Sequence, residues 1–239
     1  MSVRPDPRSP WGARLWIRST DFDPRMEEVL ALAPAAQFKP GRGIDVDVVL
    51  LQAYAIDPDF VDLPDACVGR TVFEADGRYK VEVARGLADE AERSAPARRR
   101  LRSTLAHECA HVALHSVLHP IGAGPSLFEE MASPGPAVMC REPSLDGAAS
   151  GQWWEIQANK GMASLLMPRQ IVGEQLRMWL ASKGLESVEA AFAARRGEAL
   201  VRVLSELFDV NLPVAFYRLR DLGFVPRDVG QTTLVLEGE

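Results

Sequence analysis

Nowhere in this chain do apolar residues run on for the roughly 18–20 positions that a membrane-spanning helix needs. The opening residues, MSVRPDPRSP, carry arginine with no apolar run behind them, so no secretory leader is expected. Cysteine is scarce. Cys67, Cys109 and Cys140 are odd in number and widely spaced, which argues against a disulfide framework and fits a reducing compartment. An excess of positive charge is missing too: 27 Lys and Arg stand against 33 Asp and Glu, a formal net charge of −6. The field of such a chain does not draw in polyanions, so nucleic-acid binding would need a local basic patch. There is no internal repeat. These absences set a cytoplasmic globular protein as the expectation. The 239 residues, 47% apolar and 25% charged, suit one sizeable domain or a main domain with a small appendage.

Residues 1–25 hold much Pro, Arg and Asp, with Trp11, Leu15, Trp16 and Ile17 as the apolar exceptions, and read as a loosely ordered arm pinned by the tryptophans. A short helix fits Pro24 to Leu32. Residues 44–56, IDVDVVLLQAYAI, alternate at the front but not at the back, and stay open between strand and helix. The run CVGRTVFEADGRYKVEVAR places two β-rich stretches around Asp76-Gly77, a strong hairpin-turn dipeptide. Leu101, Leu105, Val112 and Leu118 then fall at helical intervals up to Pro120. Five prolines between 120 and 150 predict irregular chain. A second helix, WWEIQANKGMASLLM, follows, closed by Pro168. From 169 onward the pattern is helical.

All four histidines, at 107, 111, 115 and 119, lie in the first of these helices at four-residue spacing. His107-Glu108-Cys109-Ala110-His111 is an HExxH sequence. Residues four apart share a helix face, so both imidazoles can reach one zinc ion. Glu108 follows His107 directly, where a carboxylate can act as the catalytic base toward an activated water. The extended form HExxHxxGxxH is absent, since Leu114 and Val117 stand at its last two positions. His115 lies too far along a straight helix to join the same ion and is expected to support it from behind or to pack. His119 is expected as a helix-end residue favoured by the dipole. A third ligand must therefore come from elsewhere. Glu155 is preferred, because it sits on a rigid element with Ala158 and Ala163 allowing close helix approach. Glu129, Glu130, Glu142 and Asp146 are the other acids available.

The blocks HECAHVALH and WEIQANKGMASLLMP together resemble the ImmA/IrrE family of metallopeptidase-like proteins. Glu155, Ala158 and Asn159 match that family's ExxAN segment, and Leu165 to Pro168 its LLMP end. LSELFDVNLPVAFYRLRDLGF is similar to the helical region after it, so the likeness spans roughly residues 65–225. The resemblance implies an α+β, zincin-like domain in which His107, His111 and Glu155 hold zinc, with Asn159 a candidate supporting residue beside His115. It also implies proteolysis of a helix-turn-helix repressor in stress response or mobile-element control. Two features depart from the family: a long gap between His111 and Glu155, and Gly161-Met162 where an aromatic residue often stands. The expected organisation is a flexible arm over 1–40, a metallopeptidase domain with a small twisted sheet over 41–168, and a helix-turn-helix-like subdomain over 169–239.

Weaker signals are weighed beside these. Arg98, Arg99, Arg100 and Arg102 read as solvated charge in or near a loop. Between residues 170 and 225 seven basic residues meet seven acidic ones, so direct DNA contact is not expected of the C-terminal helices. Cys140 could approach the metal as a thiolate latch. Cys109 faces away from the histidines. Two function classes follow: a site-specific zinc peptidase, or a regulator that keeps the metal fold and acts by binding a partner protein or DNA.

Overall fold

Ser94 sets the start of the helix on which the other elements are arranged. In the computed structural model its hydroxyl accepts from Ala97 N, and Pro96 occupies the first turn, where a missing N–H is harmless. Residues 1–64, 66–74, 76–119 and 152–225 are described, with 137–141 described as backbone alone. The fold is α+β. Helix α4, Ala95–His115, is buried without a break from Ser103 to His115. A helix apolar on one stripe can lie at a surface, but one enclosed all round must be central.

Four strands cover one side of it. Strands β4 (Cys67–Phe73) and β5 (Tyr79–Ala84) form the antiparallel hairpin expected around Asp76-Gly77, pairing Phe73 with Tyr79 and Thr71 with Val81. Strand β3 (Asp59–Val61) runs parallel to β5, and β6 (Ala137–Arg141) runs antiparallel to β4, giving the order β3-β5-β4-β6. The sheet thus begins at Asp59. Asp45 caps Val48 N, and Val46, Val49 and Leu50 recur at helical spacing, so residues 46–54 form helix α2 instead. Irregular chain expected over 120–150 contains β6, because β4 had an open edge to satisfy. The rest of that insert, with Glu129, Glu130, Glu142 and Asp146, lies outside the described residues, as do the Cys140 thiol and the tail from 226.

On its other side α4 packs along α5 (Trp153–Leu166), the second helix read from the sequence. Gly161 is what lets them approach. A Cβ there would stand 2.8 Å from the Ala110 Cβ, closer than two carbons can rest. The aromatic residue that the family pattern often has is therefore excluded by contact here.

The first forty residues are not a loose arm. Strands β1 (Ser2–Pro5) and β2 (Ala13–Trp16) form a hairpin that buries Leu15, and α1 (Phe22–Ala31) buries Phe22, Met26 and Val29. Trp11 lies against Phe73, His115 and Trp153 with ring centroids 5.7, 5.3 and 6.1 Å away. The segment has few apolar residues, but they are large, and burying one is worth roughly 1.5–3 kcal/mol.

Helix α3 (Arg85–Ala91) lies just before α4, and after α5 come α6 (Arg169–Lys183), α7 (Val188–Ala193), α8 (Gly197–Phe208) and α9 (Leu212–Asp221). They share one apolar cluster with the N-terminal half, running from Leu15 to Val225. Helix α9 buries six consecutive residues, Val214 to Leu219. The arginine run is not loop charge either. Arg98, Arg99 and Arg102 lie in the first turns of α4 and converge on Asp209, the left-handed residue that ends α8, at 3.2, 2.9 and 3.6 Å. That carboxylate offsets the positive charge that would otherwise oppose the α4 dipole. Among the described residues no helix is long and apolar enough to cross a membrane.

Candidate metal centre

Four ionisable side chains of α4, His107, Glu108, His111 and His115, are wholly buried. Burying groups of this kind is costly unless each finds a partner, so their surroundings define what they can do. Glu155, in the first turn of α5, faces the two histidines of the HExxH sequence. Its Oε2 lies 3.1 Å from His107 Nε2 and its Oε1 3.5 Å from His111 Nε2, while the two Nε2 atoms are 3.0 Å apart. One ligand atom from each residue falls within 4.8 Å of the others. Zinc bonds of ~2.0–2.1 Å at tetrahedral angles space their ligand atoms ~3.3 Å apart, so the observed triangle matches that edge length.

The proton positions follow from the partners. Gln157 donates its amide N–H to the Leu15 carbonyl at 2.8 Å, which turns its Oε1 toward His115 Nε2 at 3.1 Å. An oxygen acceptor there requires the His115 proton on Nε2, leaving Nδ1 to accept. His111 Nδ1, 3.0 Å from that Nδ1, must then be the donor. Its own Nε2 is left as a lone pair aimed at Glu155. His107 Nδ1 similarly donates to Asn159 Oδ1 at 3.0 Å, which puts the His107 lone pair on Nε2. Such outer partners fix the tautomer and orientation of metal-ligating imidazoles.

Two lone pairs and a carboxylate therefore converge at about 3 Å. Three acceptors so close repel one another. A single proton can bridge two of them, but a divalent cation satisfies all three, and two imidazoles with one carboxylate form a donor set suited to zinc. Desolvation lowers the pKa of His111, and of His115 to well below the usual value, so both are neutral near pH 7, as ligation requires. Burial alone would raise Glu155. A proton shared with His107 or His111, or their positive charge, outweighs burial and holds the carboxyl well below the usual range. Glu155 is thus an ionised, mostly buried ligand candidate rather than a solvated acid.

Glu108 faces the sheet. Thr71 Oγ1 donates to its Oε2 at 2.6 Å, whereas Oε1 is buried with no hydrogen-bond partner. Gly69 makes room for it, since a Cβ there would stand 2.9 Å from Glu108 Oε1 and 2.6 Å from Thr104 Cγ2. Burial pushes the Glu108 carboxyl up to about 7, against the opposing effects of His107 and the Thr71 hydroxyl. A carboxylate in that range can both take and release a proton near neutrality. Cys109 next to it is buried and pushed up to about 12, hence inert as a thiolate.

Among the described residues, the structure brings together His107, His111 and Glu155, with Glu108 next to His107 and with His115 and Asn159 behind them. His119 is different. It lies beyond the end of α4, which stops at His115, and donates from Nε2 to the Glu74 carbonyl at 2.9 Å, tying the turn after the helix to the hairpin. Thr71, Gly69, Gln157 and Trp11 are the residues that sequence reasoning missed. Only Gln157, two positions after Glu155, had a detectable signal: it shares the buried face of α5 with Ala158. No known protein-family pattern matches the chain, and neither does any curated protein.

Proposed function

We propose that this protein is a zinc-dependent metalloendopeptidase of the ImmA/IrrE type that cleaves a helix-turn-helix transcriptional repressor, relieving repression in a stress response or in mobile-element control. The observation that carries the proposal is the convergence of three acceptors, His107 Nε2, His111 Nε2 and the Glu155 carboxylate, with both ligand imidazole protons committed to His115 and Asn159. When bound, zinc supplies Lewis-acid polarisation of the scissile carbonyl and of the attacking water. Glu108 takes the proton from that water and passes it to the leaving amine. Thr71 steadies one of its oxygens and leaves Oε1 for the proton. The repressor as substrate, and a cytoplasmic setting without direct DNA contact, rest on the resemblance of the HECAHVALH and WEIQANKGMASLLMP blocks and on the balanced charge of the C-terminal helices.

One observation favours a second reading, a regulator that keeps the metal site but acts by binding a partner. A carboxyl held near 7 is about half protonated at neutral pH, and Glu108 is wholly buried. Replacing Glu108 by Gln separates the two. Purified zinc-loaded protein is incubated with candidate repressors, and discrete fragments are sought. The peptidase reading expects Glu108→Gln to lose about a hundred- to ten-thousand-fold in cleavage while zinc content holds. Should the Gln variant release the repressed genes as well as the parent, proteolysis is not the mechanism.

A further inference from the structure

A polar cavity of about 190 Å³ lies where α1, α5, α6 and α9 meet. It takes Lys160 and Ser164 from α5, each five residues beyond Glu155 or Asn159, hence about 140° round the helix from the metal-facing side. The floor is buried. Arg218, 3% exposed, donates from Nε to the Met167 carbonyl at 2.9 Å and from Nη2 to Asp23, and Arg169 reaches the same carboxylate at 2.9 Å. Ser164 lines the same cavity beside Asp23. Two guanidiniums thus share one carboxylate, which leaves one positive charge over.

The rim adds another. Lys160 Nζ touches only the Ser19 hydroxyl, at 3.4 Å, besides the Phe22 ring at 5.7 Å. Arg220 lies over the Tyr217 ring at 4.3 Å. Neither makes an ion pair among the described residues, and Asp221 is the one carboxylate of the rim. The cavity therefore carries four cations against two carboxylates, with hydroxyls interleaved. That excess of two charges, in a concave site floored by a fixed guanidinium, complements a dianion.

We propose that this cavity binds a phosphate group, held by Lys160 and Arg220 above the Arg218–Asp23 floor. A phosphate monoester carries about −1.5 to −2 charge at neutral pH and three acceptor oxygens, which guanidinium forks and hydroxyls match. A carboxylate would compensate only one of the two charges. The site is separate from the metal centre and does not rest on the peptidase reading.

The test uses the full-length zinc-loaded protein, titrated calorimetrically at constant ionic strength with inorganic phosphate, and in parallel with a phosphoserine peptide and its unmodified counterpart. One saturable site per chain is expected, weakened at least tenfold in the Lys160→Gln/Arg220→Gln double variant, with zinc content and melting temperature kept. Binding of both probes makes free phosphate sufficient; binding of the phosphopeptide alone makes the source a modified protein. The proposal is overturned if neither probe binds saturably. It is equally overturned if the double variant binds as tightly as the parent, which would place the phosphate at the zinc.

Discussion

His115 touches no substrate and no metal, yet its replacement is the sharpest test of the proton chain behind the metal centre. In His115→Phe the ring keeps its place between Trp11 and Trp153, whose centroids lie 5.3 and 5.6 Å away, so packing is largely retained. What is lost is the acceptor for His111 Nδ1–H, at present 3.0 Å away in a fully buried position. An unsatisfied buried donor costs about 1–3 kcal/mol. Removing an outer partner of a metal-ligating imidazole typically weakens metal binding about 10–100-fold, which at ~1.4 kcal/mol per tenfold corresponds to ~1.4–2.8 kcal/mol. The two routes agree.

The measurement is zinc affinity by competition with a chelator of known affinity, beside thermal melting of the zinc-free protein. Gln157→Leu should act in the same direction but less, because it removes the acceptor one step further from the metal. If His115→Phe bound zinc as tightly as the parent while His111→Ala did not, the tautomer assignment would be wrong, and the histidine stack would be packing alone.

Other substitutions probe other links. Glu155→Ala and His107→Ala should each reduce bound zinc from about one per chain to a small fraction, read by metal analysis after dialysis; full retention in Glu155→Ala would mean that another group supplies the third ligand. Gly161→Ala drives a Cβ to 2.8 Å from the Ala110 Cβ. Overpacking of this kind costs about 1–3 kcal/mol, and denaturant unfolding should show it together with weaker zinc binding as α5 is pushed off α4. For Asp209, burial raises its pKa but Arg98, Arg99 and Arg102 bring it below the ordinary value. A folded pKa under the unfolded one means that the stabilisation is complete above the unfolded value and is lost as pH falls through the folded one. Asp209→Asn should thus lose about 1–3 kcal/mol at neutral pH. Urea titrations of the two proteins should converge in strong acid; a gap that persisted below both pKa values would refute the linkage.

Much of this centre was readable because it is local. HExxH places two histidines on one face at a spacing that the helix itself guarantees, and the Asp76-Gly77 turn fixes a hairpin by its own backbone preference. Glu155 was the preferred third ligand from rigidity and small neighbours alone, and it now faces both imidazoles. The misreadings share a cause. The N-terminal segment looked loose and Arg98, Arg99 and Arg102 looked solvated, because Trp11 and Asp209 meet their partners only across the fold.

By itself, then, the sequence determined the helix that carries His107, Glu108 and His111 and the hairpin beside it, since short-range spacing and turn chemistry need no other part of the chain. Only the tertiary structure decided which nitrogen of each histidine carries its proton. That choice is made by Asn159, by Gln157 and by the Leu15 carbonyl, which lies 142 residues from Gln157 in sequence. It likewise decided that Glu108 is held under β4 by Thr71, 37 residues before it. Contacts at such separations depend on how whole elements pack, and no periodicity in the chain encodes them.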